Sequence, residues 1–524
     1  MRQGSTLSWV GGTGRVFNTH RRNTRQEFHP VTAHSLITDP ADHVNDELTS
    51  MLQDRVVALF VAEDLSGRKL EQAVWEVVLE VGRQLLSALL TWSCWKVMKR
   101  ESGGRAVRLR LDTDYTLSQA TTFGTVCVPL FAWREHGSTH APARTEVFPL
   151  HPKVRSSELL LEWETRLGCQ LPFRQAEDGL AFFSHGAVQL EDTTIARHLR
   201  VVGPSLEQLW TCRSPEKVAV LLEKRATRDR ETGRPLLYVS TDAHALRRYV
   251  DDTWKAEYKM LNGIRLWCID QNTGQTVHLG GEYTWGDCRE VARRTKALVD
   301  HLVPTGDATP QLVCITDGMP WIRDHVYPVL PPDTCFILDF YHLSERLSEY
   351  ANATFGLKTQ AAQAWVRRVV TDLTGKRPYK KAKVRKRSGH QKKRGRRRNP
   401  FRTVHPSANP HGPGEQLLWM LAEENDSDAR TKLLGYVGAN LDRIDFSVYR
   451  RRGMQIGSGA MESLHRTASQ MRLKLAGARW RPEMAIAVLN ARLMLLAERW
   501  EDFWAQPDLA GALTTAFNVQ AVAA

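Results

Sequence analysis

The sequence predicts an α/β protein built around a mixed five-stranded sheet with helices packed on it. Residues 236–241 and 311–316 form apolar runs typical of buried strands, and an aspartate follows each run. Residues 264–269 and 276–279, joined by a turn-like segment, form a hairpin pattern between them. A further apolar run, residues 335–338, also ends at an aspartate. Strand patterns interleaved with helical ones therefore define the fold class.

The order of these strands indicates how they connect. Three strands follow one another directly, and the last two are reached through helical patterns at 287–302 and 321–327. This order describes an RNase H-like sheet, in which the first and fourth strands lie side by side and parallel. Because both strands would then end at the same edge of the sheet, we expect Asp242 and Asp317 to be neighbours there.

The chain is too long for a single core. At 524 residues and 59.5 kDa, several domains are expected. The predicted organisation is a flexible tail (1–48), a helical pair with a small strand-rich module (49–150), a helix-turn-helix unit (151–210), the first part of the α/β core (211–342), an all-α insertion (343–455), the second part of the core (456–505) and a second tail (506–524). We expect the helical pair to serve packing or self-association.

The basic excess of the chain is concentrated in one segment. The formal charge is +14, and residues 376–402 contain 15 Lys and Arg with no Asp or Glu. A solvated insertion and a polyanion-binding arm both have such a composition. Beside a phosphoryl-transfer site the second interpretation is favoured, because Lys and Arg neutralise phosphates and release counterions. The DNA-binding candidates in this arm are Lys386, Arg387, Lys393 and Arg397.

Cysteine spacing and hydropathy indicate an intracellular protein. The eight cysteines are scattered without a Cys-x-x-Cys pair, which argues against a disulfide framework and a structural zinc site. The most apolar stretch, residues 79–95, is broken by Glu80, Arg83 and Gln84, so we predict no membrane span. No apolar segment suited to a signal peptide follows Met1. We expect a cytoplasmic, nucleoid-associated protein.

A helix-turn-helix unit is predicted near the middle of the N-terminal half. Residues 173–184 and 192–202 have helical patterns on either side of Gly186. The second segment carries hydroxyl and cationic side chains suited to phosphates and base edges: Thr193, Thr194, Arg197, His198 and Arg200. Helix pairs around a glycine also occur in ordinary cores, so both interpretations stay open. Arg197 and Arg200 are the DNA-binding candidates here.

A third carboxylate completes a candidate catalytic set. Glu462 follows the turn Gly457-Ser458-Gly459 and opens a basic amphipathic stretch with a helical pattern. Two strand-end carboxylates and one on a covering helix can hold two divalent ions about 3.5–4 Å apart, which activates the oxygens of phosphodiester chemistry. Oxygen ligands suit Mg²⁺. The set Asp242, Asp317 and Glu462 therefore predicts an enzyme that acts on DNA with two Mg²⁺ or Mn²⁺ ions.

Each acidic candidate also has a structural alternative, and for Asp317, which precedes Gly318, it is the role of a simple turn residue. Asp251 and Asp252 follow a helix-like segment, residues 245–250, and compete with Asp242 for the catalytic role. Glu462 could serve only the helix macrodipole. Asp339 and His342 could simply cap the helix that follows them, because aspartate is a favoured N-cap.

Three motifs carry a family resemblance. They are Thr316-Asp317-Gly318-Met319-Pro320-Trp321-Ile322, Asp339-Phe340-Tyr341-His342 and Gly457-Ser458-Gly459-Ala460-Met461-Glu462-Ser463, with Arg472, Lys474, Gly477 and Trp480 on the segment that follows. With these motifs the chain resembles the DDE transposases of bacterial insertion sequences, most closely the Kra group, and more distantly the Mutator-like and hAT-like enzymes. The resemblance covers roughly residues 50–505 and is strongest from 311 onward.

The resemblance implies an RNase H-like fold interrupted by a helical insertion, and a transposase that cleaves and joins DNA ends. It implies metal binding by Asp242, Asp317 and Glu462, and it places Asp339 and His342 beside the active site. The implied partners are the terminal inverted repeats of the element and the target DNA. Because two ends are joined, we expect a homodimer or a larger assembly on DNA.

The segment after Glu462 is expected to line the path of the DNA. Its cationic side chains are His465, Arg466, Arg472, Lys474 and Arg479. A solvated helix face is the alternative for each of them. Two other functions remain open for the whole chain. One is a nuclease that cuts without joining, and the other is a domesticated or inactive DNA-binding protein.

Overall fold

A computed structural model describes eleven segments of the chain: 40–61, 67–101, 110–135, 138–140, 142–148, 150–207, 210–250, 253–303, 309–375, 412–424 and 426–523. The predicted basic arm lies outside the described residues, and so do its four DNA-binding candidates, Lys386, Arg387, Lys393 and Arg397. Within the described segments, no helix is both long and apolar enough to cross a membrane.

The N-terminal part contains two long helices and a small antiparallel sheet. Its elements are α1 (Pro40–Val61), α2 (Arg68–Glu101), β1 (Arg110–Thr121), β2 (Gly124–Glu135), β3 (Ser138–His140) and α3 (Arg144–Val147). Helix α1 begins at Pro40, inside the range predicted to be a tail, so the expected boundary at residue 48 is corrected. Cys94 and Met98 of α2 are buried together with Val126 and Val128 of β2, which joins the helices to the small sheet.

Four helices precede the central sheet: α4 (Glu158–Gln170), α5 (Phe173–Phe183), α6 (Asp192–Val202) and α7 (Pro215–Lys224). A short 3₁₀ helix, Gly203–Leu206, follows α6. The Ser157 side chain accepts the Leu160 amide and caps the start of α4. Helix α6 places Ile195, Leu199 and Val202 in the interior, which leaves only part of its surface exposed.

The central sheet is mixed and has five strands in the order β6-β5-β4-β7-β8. The strands and the helix between them are β4 (Leu236–Tyr249), β5 (Ala256–Ile269), β6 (Thr276–Thr284), α8 (Cys288–Leu302), β7 (Gln311–Thr316) and β8 (Cys335–Leu338). Strands β4, β5 and β6 are antiparallel neighbours, whereas β4, β7 and β8 are parallel. The protein is therefore an α/β protein with a mixed five-stranded sheet.

Strand β4 is longer than the sequence predicted. It continues past Asp242 to Tyr249, so the helix-like interpretation of residues 245–250 is wrong and Asp242 lies within a strand instead of at its end. The extension forms because β5 pairs with it along its whole length, and because alternate side chains, His244 and Leu246, are buried. Asp251 and Asp252 lie outside the described residues.

Alternation along the strands sends side chains to two different cores. Leu237 and Val239 of β4 share a core with Val291 and Leu298 of α8. On the opposite face, Tyr238 packs with the helices that follow β8. Asp242 has the same parity as Tyr238, so it belongs to the second face.

The insertion is helical and shares its core with the sheet. It contains α9 (Phe340–Phe355), α10 (Gln360–Thr374), α11 (Pro413–Glu423), α12 (Asp428–Ala439) and α13 (Phe446–Arg452). A single helix over residues 415–441 was predicted, but Ser427 caps a new helix and the segment is divided into α11 and α12. Leu433 and Val437 of α12 are buried in the same core as Val313 and Ile315 of β7. The insertion therefore covers the aspartate-bearing face.

The C-terminal part returns to the sheet. Its elements are α14 (Gly459–Leu464), a π-helical turn (His465–Gln470), α15 (Met471–Leu473), α16 (Pro482–Leu496), α17 (Trp500–Trp504) and α18 (Leu509–Ala523). Residues 506–524 were predicted to be a tail, but α18 buries Leu509 and Leu513. A Cβ at Gly203 would lie 2.3 Å from Ala487 of α16, so the chain after α6 packs closely on the C-terminal part.

Candidate active site

Three aspartates lie at one level on adjacent parallel strands. Strand β4 pairs with β7 up to Val239, and β7 pairs with β8 up to Thr316. Continuing both ladders in register brings Asp242 level with Asp317, and Asp317 level with Asp339. The backbone pairing of the sheet therefore gathers residues that are widely separated in the sequence.

Asp317 is close enough to the other two aspartates to be affected by their charge. Burial raises the pKa of the Asp317 carboxyl, and the negative charges of Asp242 and Asp339 raise it further. The Met319 amide opposes this shift by donating to the Asp317 carboxylate over 3.0 Å. The arrangement concentrates negative charge at the carboxyl end of the parallel strands.

Asp242 is accompanied by a buried histidine. The Nε2 atom of His465 lies 3.4 Å from a carboxylate oxygen of Asp242. Burial alone would raise the pKa of the Asp242 carboxyl, but His465 and the Ala243 amide outweigh it and hold this pKa below its ordinary value. Asp242 is therefore the more acidic member of the Asp242–Asp317 pair.

A glycine makes room for this histidine. Gly263 of β5 lies directly opposite Asp242. A Cβ at Gly263 would lie 2.6–2.9 Å from Met461, His465 and Tyr283, which is too close for any larger residue without rearrangement. His465 reaches Asp242 only because Gly263 has no side chain to occupy this space.

The ring of His465 is held from both sides. Its Nδ1 atom lies 3.2 Å from the Tyr283 hydroxyl, and its ring centroid lies 4.5 Å from that of His244. The Nε2 atom of His244 lies 2.9 Å from the Ser469 hydroxyl. His465 also begins the π-helical turn, a distortion that is often found at functional sites. It was expected to line a DNA path, but its side chain is buried.

Asp339 is fully buried and is engaged by three donors. Its carboxylate accepts the Tyr341 amide, which makes it the N-cap of α9. It also interacts with His342 Nδ1 over 3.0 Å and accepts the Ser458 hydroxyl. These contacts hold the pKa of the Asp339 carboxyl below its ordinary value even though burial raises it. Asp339 thus caps a helix, as one alternative proposed, and it also links β8 to the start of α14.

His342 contributes positive charge beside the carboxylates. Its hydrogen bond to Asp339 raises its pKa to about 9 despite partial burial, and the charges of Asp317 and Asp242 act in the same direction. The imidazole is therefore protonated at neutral pH. Its side chain is 38% exposed, so the charge is accessible from solvent.

Glu462 lies on α14, between two residues that contact the aspartates. Ser458 contacts Asp339 just before this helix, and His465 approaches Asp242 just after it. The Glu462 side chain itself is exposed. Among the residues that the structure describes, no three His, Cys, Asp or Glu side chains converge as a ready metal-binding group. Asp242 and Asp317 are brought together, whereas Glu462 stands on the neighbouring helix.

The insertion contributes contacts that sequence analysis did not find. The Tyr436 hydroxyl of α12 donates to the Asp317 carbonyl over 2.7 Å. Gly318 has φ +81°, and a Cβ there would lie within 2.7 Å of both Leu338 and Asn440. No local motif marks Tyr436 or Asn440, because each acts across more than a hundred residues.

Two of the expected DNA-binding side chains are structural. Arg472 is 3% exposed, donates to the Gly168 carbonyl of α4 and stacks between Phe173 and Trp480. The expectation that it contacts DNA is corrected, since burial lets it fasten α15 to α4. His198 is buried as well, with Nδ1 2.6 Å from Glu164.

The other described candidates are at the surface. Arg197, Arg466, Lys474 and Arg479 are exposed. The Arg200 side chain is about half exposed and lies 3.7 Å from Glu483 of α16. These five side chains remain accessible to a polyanion, and their DNA-binding role stays a prediction.

The fold and the site together define a class: an α/β protein with a mixed five-stranded sheet and an acidic cluster where its parallel strands end. Comparison of the sequence with protein-family models gave no match, and comparison with curated proteins gave none either.

Proposed function

We propose that this protein is a DDE transposase that cleaves the ends of an insertion sequence and transfers them to target DNA. One observation carries the proposal: Asp242 on β4 and Asp317 directly after β7 belong to neighbouring parallel strands, and their carboxyl groups lie within electrostatic range of each other. Paired carboxylates on rigid strands suit phosphodiester chemistry. Glu462, on the helix that covers this face, is the third member of the set.

The strand connectivity supports an RNase H-like fold for this enzyme. Three antiparallel strands precede α8, and β7 then pairs in parallel with β4, the first of the three. This is the order expected for such a sheet. The helical insertion separates β8 from α14, so the first two carboxylates and Glu462 come from distant parts of the chain.

The donor set suits divalent metal ions. Asp242 and Asp317 supply carboxylate oxygens, which Mg²⁺ and Mn²⁺ prefer. Mutual repulsion contributes to the raised pKa of Asp317, and a bound cation would relieve that repulsion. When held by Asp242, Asp317 and Glu462, two such ions supply the Lewis acidity that activates the attacking oxygen and stabilises the leaving one.

The remaining side chains of the site either carry charge or fix the positions of neighbouring groups. Asp339 fixes the Nδ1 side of His342 and anchors Ser458, so the start of α14 is fixed relative to β8. The protonated His342 offers its Nε2–H to a phosphodiester oxygen at the same edge. His465, whose Nε2 atom lies 3.4 Å from the Asp242 carboxylate, orients that carboxylate.

The proposed partners are the element's inverted repeats, target DNA and a second copy of the chain. A homodimer agrees with the apolar side chains that α1 and α2 leave exposed: Leu52, Val56, Val57, Phe60, Val61, Leu70, Val74, Trp75, Val78, Leu85 and Leu89. We place the protein in the cytoplasm, associated with the nucleoid. Sedimentation of the full chain should give a dimer or a larger species, and a monomer at all concentrations would contradict the assembly.

An assay of DNA cleavage and joining tests the proposal. The substrate is the DNA that flanks the gene, with Mg²⁺ or Mn²⁺, and the proteins are the natural chain, Asp317→Asn and Asp324→Asn. Asp324 is an exposed carboxylate seven residues away and serves as the control. We expect joined products that depend on metal, disappear in Asp317→Asn and persist in Asp324→Asn. Because removal of a catalytic group lowers rates by orders of magnitude, the difference should be unambiguous.

The other outcomes separate the alternatives. Cleavage without joined products would indicate a nuclease. DNA binding without cleavage by any of the three proteins would indicate a domesticated or inactive DNA-binding protein. Equal joining by the natural chain and Asp317→Asn would exclude the proposed site.

A further inference from the structure

The β4–β5 hairpin extends well beyond the carboxylates. Residues 243–250 and 253–262, called the hairpin arm, follow Asp242 on β4 and return on β5 to Asn262, next to Gly263. Seven residues separate Asp242 from Tyr249, which at about 3.3 Å per residue carries the arm roughly 23 Å past the site. That length corresponds to about seven base steps of a nucleic acid strand at 3.4 Å each.

One face of the arm is held against the rest of the protein. His244, Leu246 and Leu261 are buried on this face. The Tyr249 amide donates to the Trp480 carbonyl over 2.9 Å, and the Trp480 amide donates back to Arg247. These contacts use the edge of β4 that β7 leaves free. The arm is therefore fixed in position relative to Asp242.

The opposite face and the tip of the arm are open. Trp254 is 81% exposed and Tyr258 is 74% exposed, and the ring of Tyr249 lies 5.9 Å from that of Trp254. Large aromatic side chains usually avoid such exposure, because burying them is favourable. Their presence on a rigid hairpin indicates a surface that is covered when the protein works.

The charges around these rings are mostly positive. Lys255 is exposed just before β5, and Arg247 of β4 lies directly opposite Tyr258, so the Arg247 and Tyr258 side chains share a face. The acidic residue Glu257 is neutralised by Arg248, 2.9 Å away. Asp251 and Asp252 lie outside the described residues, so the surface defined here consists of Arg247, Trp254, Lys255 and Tyr258.

We propose that the hairpin arm binds single-stranded or unpaired DNA beside the active site, by stacking bases on Trp254 and Tyr258 and contacting phosphates with Arg247 and Lys255. Aromatic platforms flanked by cations are the chemistry that recognises unpaired nucleic acid without sequence preference. The proposal rests on the proposed function for the origin of that DNA, namely the strand ends opened at the carboxylates.

A second aromatic surface shows why charge decides the partner. Phe182 is 75% exposed at the end of α5, and with Phe183 it faces Glu71 and Glu76 of α2 across a groove. Arg68 also lines that groove, but the two glutamates outnumber it, so the groove suits phosphates less well. Both surfaces expose large aromatic side chains but differ in charge, so Phe182 provides a control for the arm.

Fluorescence anisotropy of the full-length protein tests the arm. The probes are a short fluorescein-labelled single-stranded oligonucleotide and the same sequence as a duplex. The variants are Trp254→Ala/Tyr258→Ala, Arg247→Ala/Lys255→Ala and the control Phe182→Ala. Stacking contributes about 1–3 kcal/mol per base, so the aromatic double variant should bind the single strand at least about tenfold more weakly. The duplex should be less affected, and Phe182→Ala should match the natural chain.

The salt dependence adds a second readout. Each phosphate contact to a single strand contributes about 0.7 to the slope of log affinity against log salt, so removing both Arg247 and Lys255 should lower the slope by about 1.4. Unchanged single-strand affinity in the aromatic double variant, with its thermal unfolding intact, would overturn the proposal. The proposal would also be overturned if the aromatic double variant changed only the sedimentation of the protein, since the surface would then contact a second copy.

The failure of the arm is distinguishable from the failure of the proposed function. The variant Asp317→Asn removes a carboxylate but leaves the arm unchanged, so it should keep the single-strand affinity of the natural chain. Loss of affinity in the arm variant without any cleavage by the natural chain would keep the arm and reject the transposase. Normal cleavage and joining by the natural chain, together with unaltered single-strand affinity in the arm variant, would support the transposase and reject the arm.

Discussion

The two sides of the candidate site are held by different kinds of interaction. On the strand side, Asp242, Asp317 and Asp339 follow from the register of two parallel ladders. On the helix side, Glu462 depends on side-chain contacts of its helix. These contacts are Ser458 with Asp339, His465 with Asp242, and the buried Arg265 guanidinium donating to the Ala460 carbonyl.

This difference indicates which side of the site tolerates substitutions and which side is sensitive to them. A ladder distributes its hydrogen bonds over many residues, so one substitution rarely shifts a strand. The helix side rests on a few contacts, each of which joins residues more than a hundred positions apart. Substitutions that weaken the helix side alone should therefore impair the site while the sheet persists.

The largest effect is expected at Gly263, where the two sides meet. The change Gly263→Val places a branched side chain against Met461, His465 and Tyr283, and overpacking of this kind costs about 3 kcal/mol of unfolding free energy. Urea unfolding measures the loss, and DNA cleavage should fall with it. The control is Gly435→Ala on α12, where a Cβ meets no atom within 4 Å and helix propensity favours alanine by up to about 1 kcal/mol. Equal effects at both glycines would contradict the packing argument.

The next effect distinguishes buried from exposed arginine on the same segment. Arg472→Ala removes the hydrogen bonds to Gly168 and two ring contacts, and we expect a loss of about 2–3 kcal/mol in unfolding free energy. Arg479→Ala should leave stability nearly unchanged and lower the salt slope of duplex binding by about 1, if Arg479 contacts a phosphate. Thermal unfolding and salt-dependent anisotropy measure the two results. A salt slope that changes only in Arg472→Ala would reverse the assignment.

A smaller effect is expected for the ion pair between Asp229 and Arg452, the last residue of α13. The fully buried Asp229 receives the Arg452 guanidinium at 2.6 Å. Burial would raise the pKa of Asp229, but Arg452 and neighbouring donors hold it below the ordinary value. The stabilisation is therefore complete above the unfolded pKa of about 4, and it is lost as the pH falls through the native pKa.

The variant Asp229→Asn should lose about 1–3 kcal/mol at neutral pH, because hydrogen bonds to a charged group are removed. Its difference from the natural chain should shrink in acid, as urea unfolding at several pH values would reveal. Asp333→Asn, which breaks an exposed pair with Arg234, should cost less than about 1 kcal/mol. A difference for Asp229→Asn that does not change with pH would contradict the assigned ion pair.

The smallest effect is expected at Ser458. Ser458→Ala removes one of the three donors to Asp339 and leaves the Tyr341 amide and His342 in place, so about 1 kcal/mol should be lost. The exposed Ser463, whose side chain has no such role, provides Ser463→Ala as a control. We expect a modest reduction of cleavage in Ser458→Ala only. No reduction would indicate that the strand side alone positions α14.

Much of the fold was predictable from local pattern. The strand runs at 236–241, 311–316 and 335–338 were recognisable because buried parallel strands are continuous apolar segments. The helix at 287–302 was recognisable from its apolar period, and the structure shows that Asp287 is its N-cap. The extension of β4 to Tyr249 was missed, because pairing with β5 overrides the local preference of residues 245–250.

The site was predictable only in part. A carboxylate after a buried strand is a local signal, so Asp242 and Asp317 were found. Arg472 and His198 were assigned to DNA because sequence shows their charge but not their burial. The contribution of Tyr436 and the space left by Gly263 had no local signal at all.

By itself, the sequence determined the strands, most helices, the concentration of basic charge and the acidic residues that end buried runs. These properties follow from short-range periodicity and composition. Only the tertiary structure decided which of those residues meet, which cations are buried, and that a hairpin arm stands beside the carboxylates with its aromatic rings exposed. Such outcomes depend on ladder register and packing between distant segments, and no local pattern encodes them.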